Sequence, residues 1–279
     1  MTTPPINHPR ADIDRNLPIG AFDSGVGGFT VLKQISRLLP GENVVYFGDT
    51  ANVPYGDKPP EVIRAYARNI VQFLVSQGVK AITIACNVSS SVLTEDDLAQ
   101  TPVPVFGLIS NGAAAAVRAT RRKRIGVLAT AATVQTASYV KAVMGICPDA
   151  LVVQSACPKF VPLVEGGVFD GDDVDEAVAQ YSEPLLAAGV DTVIYGCTHY
   201  PFLEQAIQRR FPDAALIDPA VEMVAELSAF LKEHNLEHDA SHGKDAIFAS
   251  DLNEHFLNTA KLFLGRDIRQ ISLQATVNP

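Results

Sequence analysis

The sequence has no apolar run long enough to cross a bilayer, because its hydrophobic stretches are short and broken by polar residues. No membrane partner is therefore expected. Residues Met1 to Leu17 lack the apolar core of a secretory signal and read as a flexible, proline-containing leader. Cysteine is scarce. Four of them (Cys86, Cys147, Cys157 and Cys197) are too few to staple 279 residues, and no Cys-x-x-Cys pair occurs. Reduced thiols in the cytoplasm are the expectation. Positive charge is also in deficit, with 22 Lys and Arg against 31 Asp and Glu, a net charge of −9. That argues against a nucleic-acid partner, which needs a basic face. It does not forbid a small anionic substrate, since local backbone donors can outweigh a distant net charge. Finally, no Gly-Lys-Ser/Thr phosphate loop appears.

What is present is apolar material for sizeable cores: 47% of residues are hydrophobic and 19% charged, in a chain long enough for one or two domains. Short β-branched runs alternate with helical stretches. Pro18–Phe22, Val44–Phe47, Lys80–Ala85, Ile125–Ala129, Leu151–Gln154 and Thr192–Tyr195 read as strands. Several are apolar on both faces, as buried parallel strands require. Glu61 to Gln77 places Val62, Tyr66, Ile70 and Phe73/Leu74 on one helical stripe, stopped by Gly78. Asp172 to Ala188, with Pro184 inside and Gly189 at its end, is a second helix. Pro219 to His234 is a third, with Val221, Val224, Ser228 and Leu231 in register. This alternation predicts an α/β fold with mainly parallel sheets.

The pattern also repeats. KAITIACNVSS from Lys80 is echoed by DTVIYGCTHYP from Asp191, and IGAFDSGVGG from Ile19 by IGVLATAATV from Ile125. The offsets are similar, 111 for the cysteines and 106 for the upstream strands. Two half-molecules of one α/β design are expected. Both cysteines would then lie at carboxyl ends of parallel strands, where open α/β sheets place their ligands. The expected organisation is a leader over residues 1–17, a first domain of 18–110 plus about 219–279, and a second domain of 111–218.

Four clusters carry candidate chemistry. Asp23-Ser24-Gly25-Val26-Gly27-Gly28 follows the first strand, and its glycines could turn backbone N–H groups toward an anion. It departs from a dinucleotide fingerprint, with Thr30 where a small residue is needed and Asp23 in the turn itself. Asp49 to Gly56 contains a Pro54-Tyr55-Gly56 loop, which alone reads as a tight turn with an anchoring tyrosine. The third and fourth clusters are Ala85-Cys86-Asn87 and Gly196-Cys197-Thr198-His199. A lone cysteine is most often a small buried hydrophobe. These two precede expected helix starts, a setting that lowers a thiol's pKa. Cys147 and Cys157 lack it and read as structural. Cys86, Cys197 and His199 have zinc-ligand chemistry, but their spacing fits no structural zinc pattern and no fourth ligand is evident, so no metal is expected.

Together FDSGVGG, DTANVPYG, ACN, CPKFVPLVEGG and YGCTHYPFL, in order from about Ile19 to Phe202, resemble the glutamate racemase branch of the aspartate/glutamate racemases. GCTHYP is the most specific, since related aspartate racemases tend to carry glutamate at the position of His199. The resemblance implies two pseudo-twofold-related α/β domains with the active site in the cleft between them. It implies racemisation of glutamate without a cofactor, supplying D-glutamate for peptidoglycan. Cys86 and Cys197 would be the acid and base on opposite faces of the α-carbon. In this family the first cysteine is thought to act on D-glutamate and the second on L-glutamate. Asp23 would assist Cys86, and His199 with Glu165 would assist Cys197. Asp23, Ser24, Pro54, Tyr55, Gly56, Asn87, Val88, Thr198 and His199 match substrate-binding positions. A homodimer and activation by a cell-wall precursor are further properties of the family.

The sequence departs from it at Val88, where the family usually has threonine, and in Ile109-Ser110-Asn111-Gly112, which lacks the usual acidic residue and proline. Two other functions therefore stay open: a racemase of the same fold acting on aspartate or another α-substituted carboxylate, and a non-catalytic glutamate-binding regulator.

Overall fold

The structure is a computed structural model and describes residues 13–265 and 271–275. Its strands are β1 (Ile19–Asp23), β2 (Val44–Gly48), β3 (Ala81–Ile84), β4 (Val105–Gly107), β5 (Arg124–Ala129), β6 (Leu151–Ala156), β7 (Thr192–Gly196), β8 (Ala215–Ile217), β9 (Asp245–Ala249) and β10 (Ile271–Leu273). All pair in parallel, in two sheets ordered β10-β9-β2-β1-β3-β4 and β6-β5-β7-β8. The chain divides into two compact units. The first takes the chain up to Leu108 and again from Met223, and the second is Ile109–Glu222. The stretch around Ser110–Asn111, expected near a domain boundary, lies inside the helix Leu108–Ala119.

Each strand expected from the sequence is present, with ends shifted by a residue or two. β1, β2, β3 and β7 are buried at every position, as a parallel sheet covered on both faces demands. The core of the first unit joins Phe22, Phe47, Ile82 and Ile84 of the sheet to Ala67, Ile70 and Leu74 of the helix Pro60–Ser76. That helix turns a slightly different face inward than its periodicity suggests. Ile63, Ala67, Ile70, Val71 and Leu74 are buried, while Val62 and Tyr66 sit at the edge of the stripe. Gly78, at φ +70°, follows it with a left-handed backbone that other residues rarely adopt. Pro219–Glu233 is likewise rotated: Met223, Val224, Leu227 and Leu231 are fully buried, and Val221 and Ser228 are not. The second unit's core runs from Ala113 and Ala116 through Ile125, Val127 and Ile194 to Tyr139 and Val143.

The repeat seen in the sequence is a repeat of topology. β2-β1-β3-β4 in one sheet has the same order and direction as β6-β5-β7-β8 in the other. Each chain excursion leaves its central strand (β1 or β5), pairs on one side, then returns on the other. The carboxyl ends of β1 and β3, and of β5 and β7, thus border a point where the winding reverses, the place where such sheets leave a crevice.

At the other end of β3, Lys80 is fully buried. Its Nζ pairs with Glu42 Oε2 at 2.6 Å and donates to the carbonyls of Arg15 at 2.8 Å and Leu236 at 2.7 Å. Arg15 also donates from Nε to the Glu237 carbonyl and pairs with Asp239. Of the expected leader, residues 1–12 lie outside the described residues. Its last part is not a loose tail, because a buried ammonium has recruited its backbone. Among the described residues, no helix is long and apolar enough to cross a membrane.

Candidate active site

In the first unit the site grows from the ends of β1, β2 and β3. Phe22 is level with Ile84, and the Ala85 N–H donates to the Phe22 carbonyl, so Asp23 and Ser24 emerge beside Ala85 and Cys86. Asp23 is 2% exposed, and its Oδ2 accepts the N–H groups of Gly25 at 3.1 Å and Gly28 at 2.9 Å. Two donors of the glycine turn, read from the sequence as facing a ligand, are therefore occupied by the protein's own carboxylate. Glycine is required at 28 for closeness: a Cβ there would stand 2.6 Å from the Asp23 Cβ and 2.6 Å from the Tyr46 hydroxyl.

Cys86 caps the six-residue helix Asn87–Val92, its sulfur accepting the Ser89 N–H at 3.4 Å and its S–H donating to Ser24 Oγ at 3.6 Å. Its setting overturns the expectation of an acidic thiol. Burial, then the neighbouring Asp23 charge, push the thiol up to about 12, against the lowering bonds from Ser89 and Ser24. Desolvation and a like charge outweigh a single helix turn. Asn87 and Val88 begin that turn and are both buried.

Tyr55 lies on a short 3₁₀ turn, with Pro54 exposed before it and Gly56 half-buried after it. Its hydroxyl donates to Asp49 Oδ2 at 2.6 Å. The fully buried Asp49 also accepts from Asn52 Nδ2 and from Ser250 Oγ at 2.8 Å. Burial, with the Asp49 charge and bond, raises the phenol far above its ordinary range. Since that proton is committed to Asp49, the phenol oxygen offers a ligand an acceptor, which suits an ammonium better than a carboxylate. Sequence reasoning placed Tyr55 but passed over Asp49, whose role depends on a partner 201 positions away.

In the second unit Cys197 follows β7 directly. His199 Nδ1 lies 3.6 Å from its sulfur, and His199 Nε2 lies 3.0 Å from Glu165 Oε1. Glu165 is the last residue of the helix Phe160–Glu165. The two motifs are held together by aromatic packing. Phe160 meets the Tyr200 ring edge-on, with centroids 5.0 Å apart, and the Tyr200 hydroxyl donates to the Cys157 carbonyl at 3.3 Å. Contrary to the expectation of a helix start, Cys197 does not open an α-helix. A 3₁₀ turn, Tyr200–Leu203, intervenes before Glu204–Arg210. The local electrostatics come instead from His199. Burial works against its charge, but the Cys197 sulfur and Glu165 outweigh it and raise the imidazole to about 10. At neutral pH it is an imidazolium bridging a sulfur and a carboxylate. Thr198 is buried alongside.

Cys157 is buried, with its thiol pushed up chiefly by that burial, and Cys147 pairs with Asp149 near the surface. Thr130, not singled out from the sequence, follows β5 as Ser24 follows β1. Ala129 is level with Gly196, which sets Thr130 beside Cys197. The echo of the Ile19 strand at Ile125 is the signal that would have found it.

Comparison with known proteins agrees with this construction. The Asp/Glu/Hydantoin racemase family matches residues 27–227. A curated relative, the glutamate racemase of Desulforudis audaxviator, is 44% identical over 257 residues, covering 89% of this chain and 94% of that protein. The crystal structure of glutamate racemase from Francisella tularensis in complex with D-glutamate superposes with a TM-score of 0.88 at 30% identity, covering 94% of this chain and 99% of that one. The Escherichia coli enzyme, in complex with L-glutamate and the activator UDP-MurNAc-ala, gives 0.75 at 25% identity, covering 94% and 100%. With the match spanning most of the chain and both cysteines inside it, the chain belongs to the Asp/Glu/Hydantoin racemase family.

Proposed function

We propose that this enzyme interconverts L- and D-glutamate by a two-thiol acid/base reaction without a cofactor. The observation that carries the reading is the pair of cysteines at equivalent strand ends, each with a different titratable helper. With L-glutamate, Cys197 as thiolate takes the α-proton while its negative charge is relieved by the His199 imidazolium. Cys86, whose thiol keeps its proton, delivers that proton to the opposite face. The carbanion's electron pair forms the new C–H bond, leaving Cys197 protonated and Cys86 ionised. D-glutamate runs the same steps in reverse. Racemisation requires one base charged and its partner protonated, and unlike neighbours supply that split. Holding both groups against the carbon contributes on the order of 7–11 kcal/mol.

Ser24, Tyr55, Asn87 and Thr198, with the backbone of Pro54, Gly56 and Val88, bind the carboxylates and ammonium in this reading. Asp23 also helps to bind the ammonium in this reading. The enzyme works in the cytoplasm and feeds D-glutamate to peptidoglycan. A nucleotide-linked cell-wall precursor of the kind named for the E. coli relative activates it, and the enzyme forms a homodimer.

The test is release of α-deuterium to water from each enantiomer, without pyridoxal phosphate or added metal. Exchange from both, with chiral chromatography showing the opposite isomer, is the expected result. No exchange over a broad pH range would sink the reading. A second substrate is favoured by one observation. Val88 is buried on the first turn after Cys86, where the resemblance leads one to expect a hydroxyl. A panel of α-amino acids should still rank glutamate first, and preference for aspartate would transfer the reaction to that substrate.

A further inference from the structure

We propose that Ser89 is a positioning residue for Cys86, its hydroxyl held as a donor for the sulfur when the sulfur carries negative charge. This deepens the two-thiol reading and rests on it. Ser89 is fully buried, and its Oγ completes no aligned hydrogen bond among the described residues, although it stands near enough to the Cys86 sulfur to favour its charge. The serines beside it differ. Ser90 Oγ donates to the Ile84 carbonyl at 3.5 Å and accepts the Leu108 N–H at 3.3 Å, and Ser91 Oγ donates to the Val88 carbonyl at 2.7 Å.

A buried hydroxyl without a partner is disfavoured, and alanine would fill that slot without penalty. The orphan makes sense if its acceptor is present in only one protonation state. The Ser89 N–H already points at the Cys86 sulfur, 3.4 Å away, on the same helical turn. In the thiol form the S–H is directed to Ser24 Oγ, and the sulfur is a weak acceptor. Once the proton has left, the sulfur can accept from the Ser89 hydroxyl, from the Ser89 N–H and from a Ser24 hydroxyl that has turned round. The Ser89 side chain and backbone both favour the thiolate against burial and Asp23. Donors placed where charge will develop act without reorganisation at the moment of reaction. The hydroxyl absent at Val88 thus has a neighbour one position on, serving the sulfur instead of the substrate.

The experiment is Ser89→Ala in the full chain, with site-resolved alkylation by iodoacetamide at fixed pH, read by peptide mass spectrometry. Cys86 should react about tenfold more slowly, one pKa unit's worth of thiolate, with Cys197 unchanged. The melting temperature should not fall, and the acid limb of the kcat/KM profile should move to higher pH. Ser90→Ala, the control, should leave the Cys86 rate and the kcat/KM profile unchanged, although its lost bonds to Ile84 and Leu108 should lower the melting temperature. An unchanged Cys86 rate, an equal effect in Ser90→Ala, or failure of Ser89→Ala to fold would overturn the proposal. Alkylation needs no substrate, so it decides the role of Ser89 even if the unsubstituted enzyme proves unable to racemise glutamate.

Discussion

The two units build one frame and furnish it differently. In the first, the strand beside the cysteine ends in Asp23; in the second, the corresponding residue by register is Ala129. Burial and that carboxylate raise the Cys86 thiol well above its ordinary range. Beside Cys197 stand His199 from the following loop and, bonded to it, Glu165 from an earlier helix. A repeated fold therefore need not repeat its electrostatics. The shared backbone places two cysteines at equivalent strand ends, and a few side chains there give each a different setting.

The sharpest way to break this comparison is to remove either sulfur. Cys86→Ala and Cys197→Ala should each lower racemisation by on the order of 100- to 10,000-fold, the usual reach of a positioned acid or base. Chiral chromatography of the products measures it, and substantial turnover by either variant would mean the thiols do not work as a pair. Next, Asp23→Asn removes the charge that distinguishes the first thiol. Its Cys86 should alkylate about tenfold faster or more, since a neighbouring carboxylate is worth a pKa unit or more. The kcat/KM values should fall by the same factor in both directions, because enantiomers have equal free energy in water.

A smaller change tests the second unit. Glu165→Gln removes a group that raises His199, so the imidazolium is lost at lower pH. The alkaline limb of kcat/KM, expected near pH 10 in the unsubstituted enzyme, should move toward neutrality. The same raised pKa stabilises the fold. That contribution is fully present below the ordinary value of about 6.5 and is lost as pH rises through about 10. Melting curves across that range should show it, and less of it in Glu165→Gln. Asp49→Ala leaves Tyr55, Asn52 and Ser250 without their acceptor. It should destabilise the fold by about 1–3 kcal/mol in denaturant titrations.

Most of this fold was legible in the chain because parallel strands announce themselves. Ile19–Asp23, Val44–Gly48 and Thr192–Gly196 are apolar on both faces, and each runs into a small or turn-forming residue. Val105–Gly107 and Ala215–Ile217 have three residues each, too few to show a period, and escaped notice. The cysteines and His199 were found by motif and Glu165 by resemblance. The shifts at Cys86 and His199 were not, because they depend on burial and on groups arriving from other elements, Asp23 at the first and Glu165 at the second. Proximity along the chain told Cys86 it had a helix start; proximity in space gave it a carboxylate. Asp49 and Ser89 stayed hidden for the same reason, since one is read through Ser250 and the other through a missing partner.

The Lys80 cluster bears on how the protein can be handled. Strand β3 carries a paired ammonium at its base and the Cys86 sulfur just beyond its tip, so the foot of the strand is a place to anchor rather than to edit. Shortening the chain from its start past Arg15 would strip an acceptor from a cation that has no route to solvent. An affinity tag spliced there needs to leave that carbonyl in place, or the first sheet will be strained from below while its chemistry at the top looks untouched.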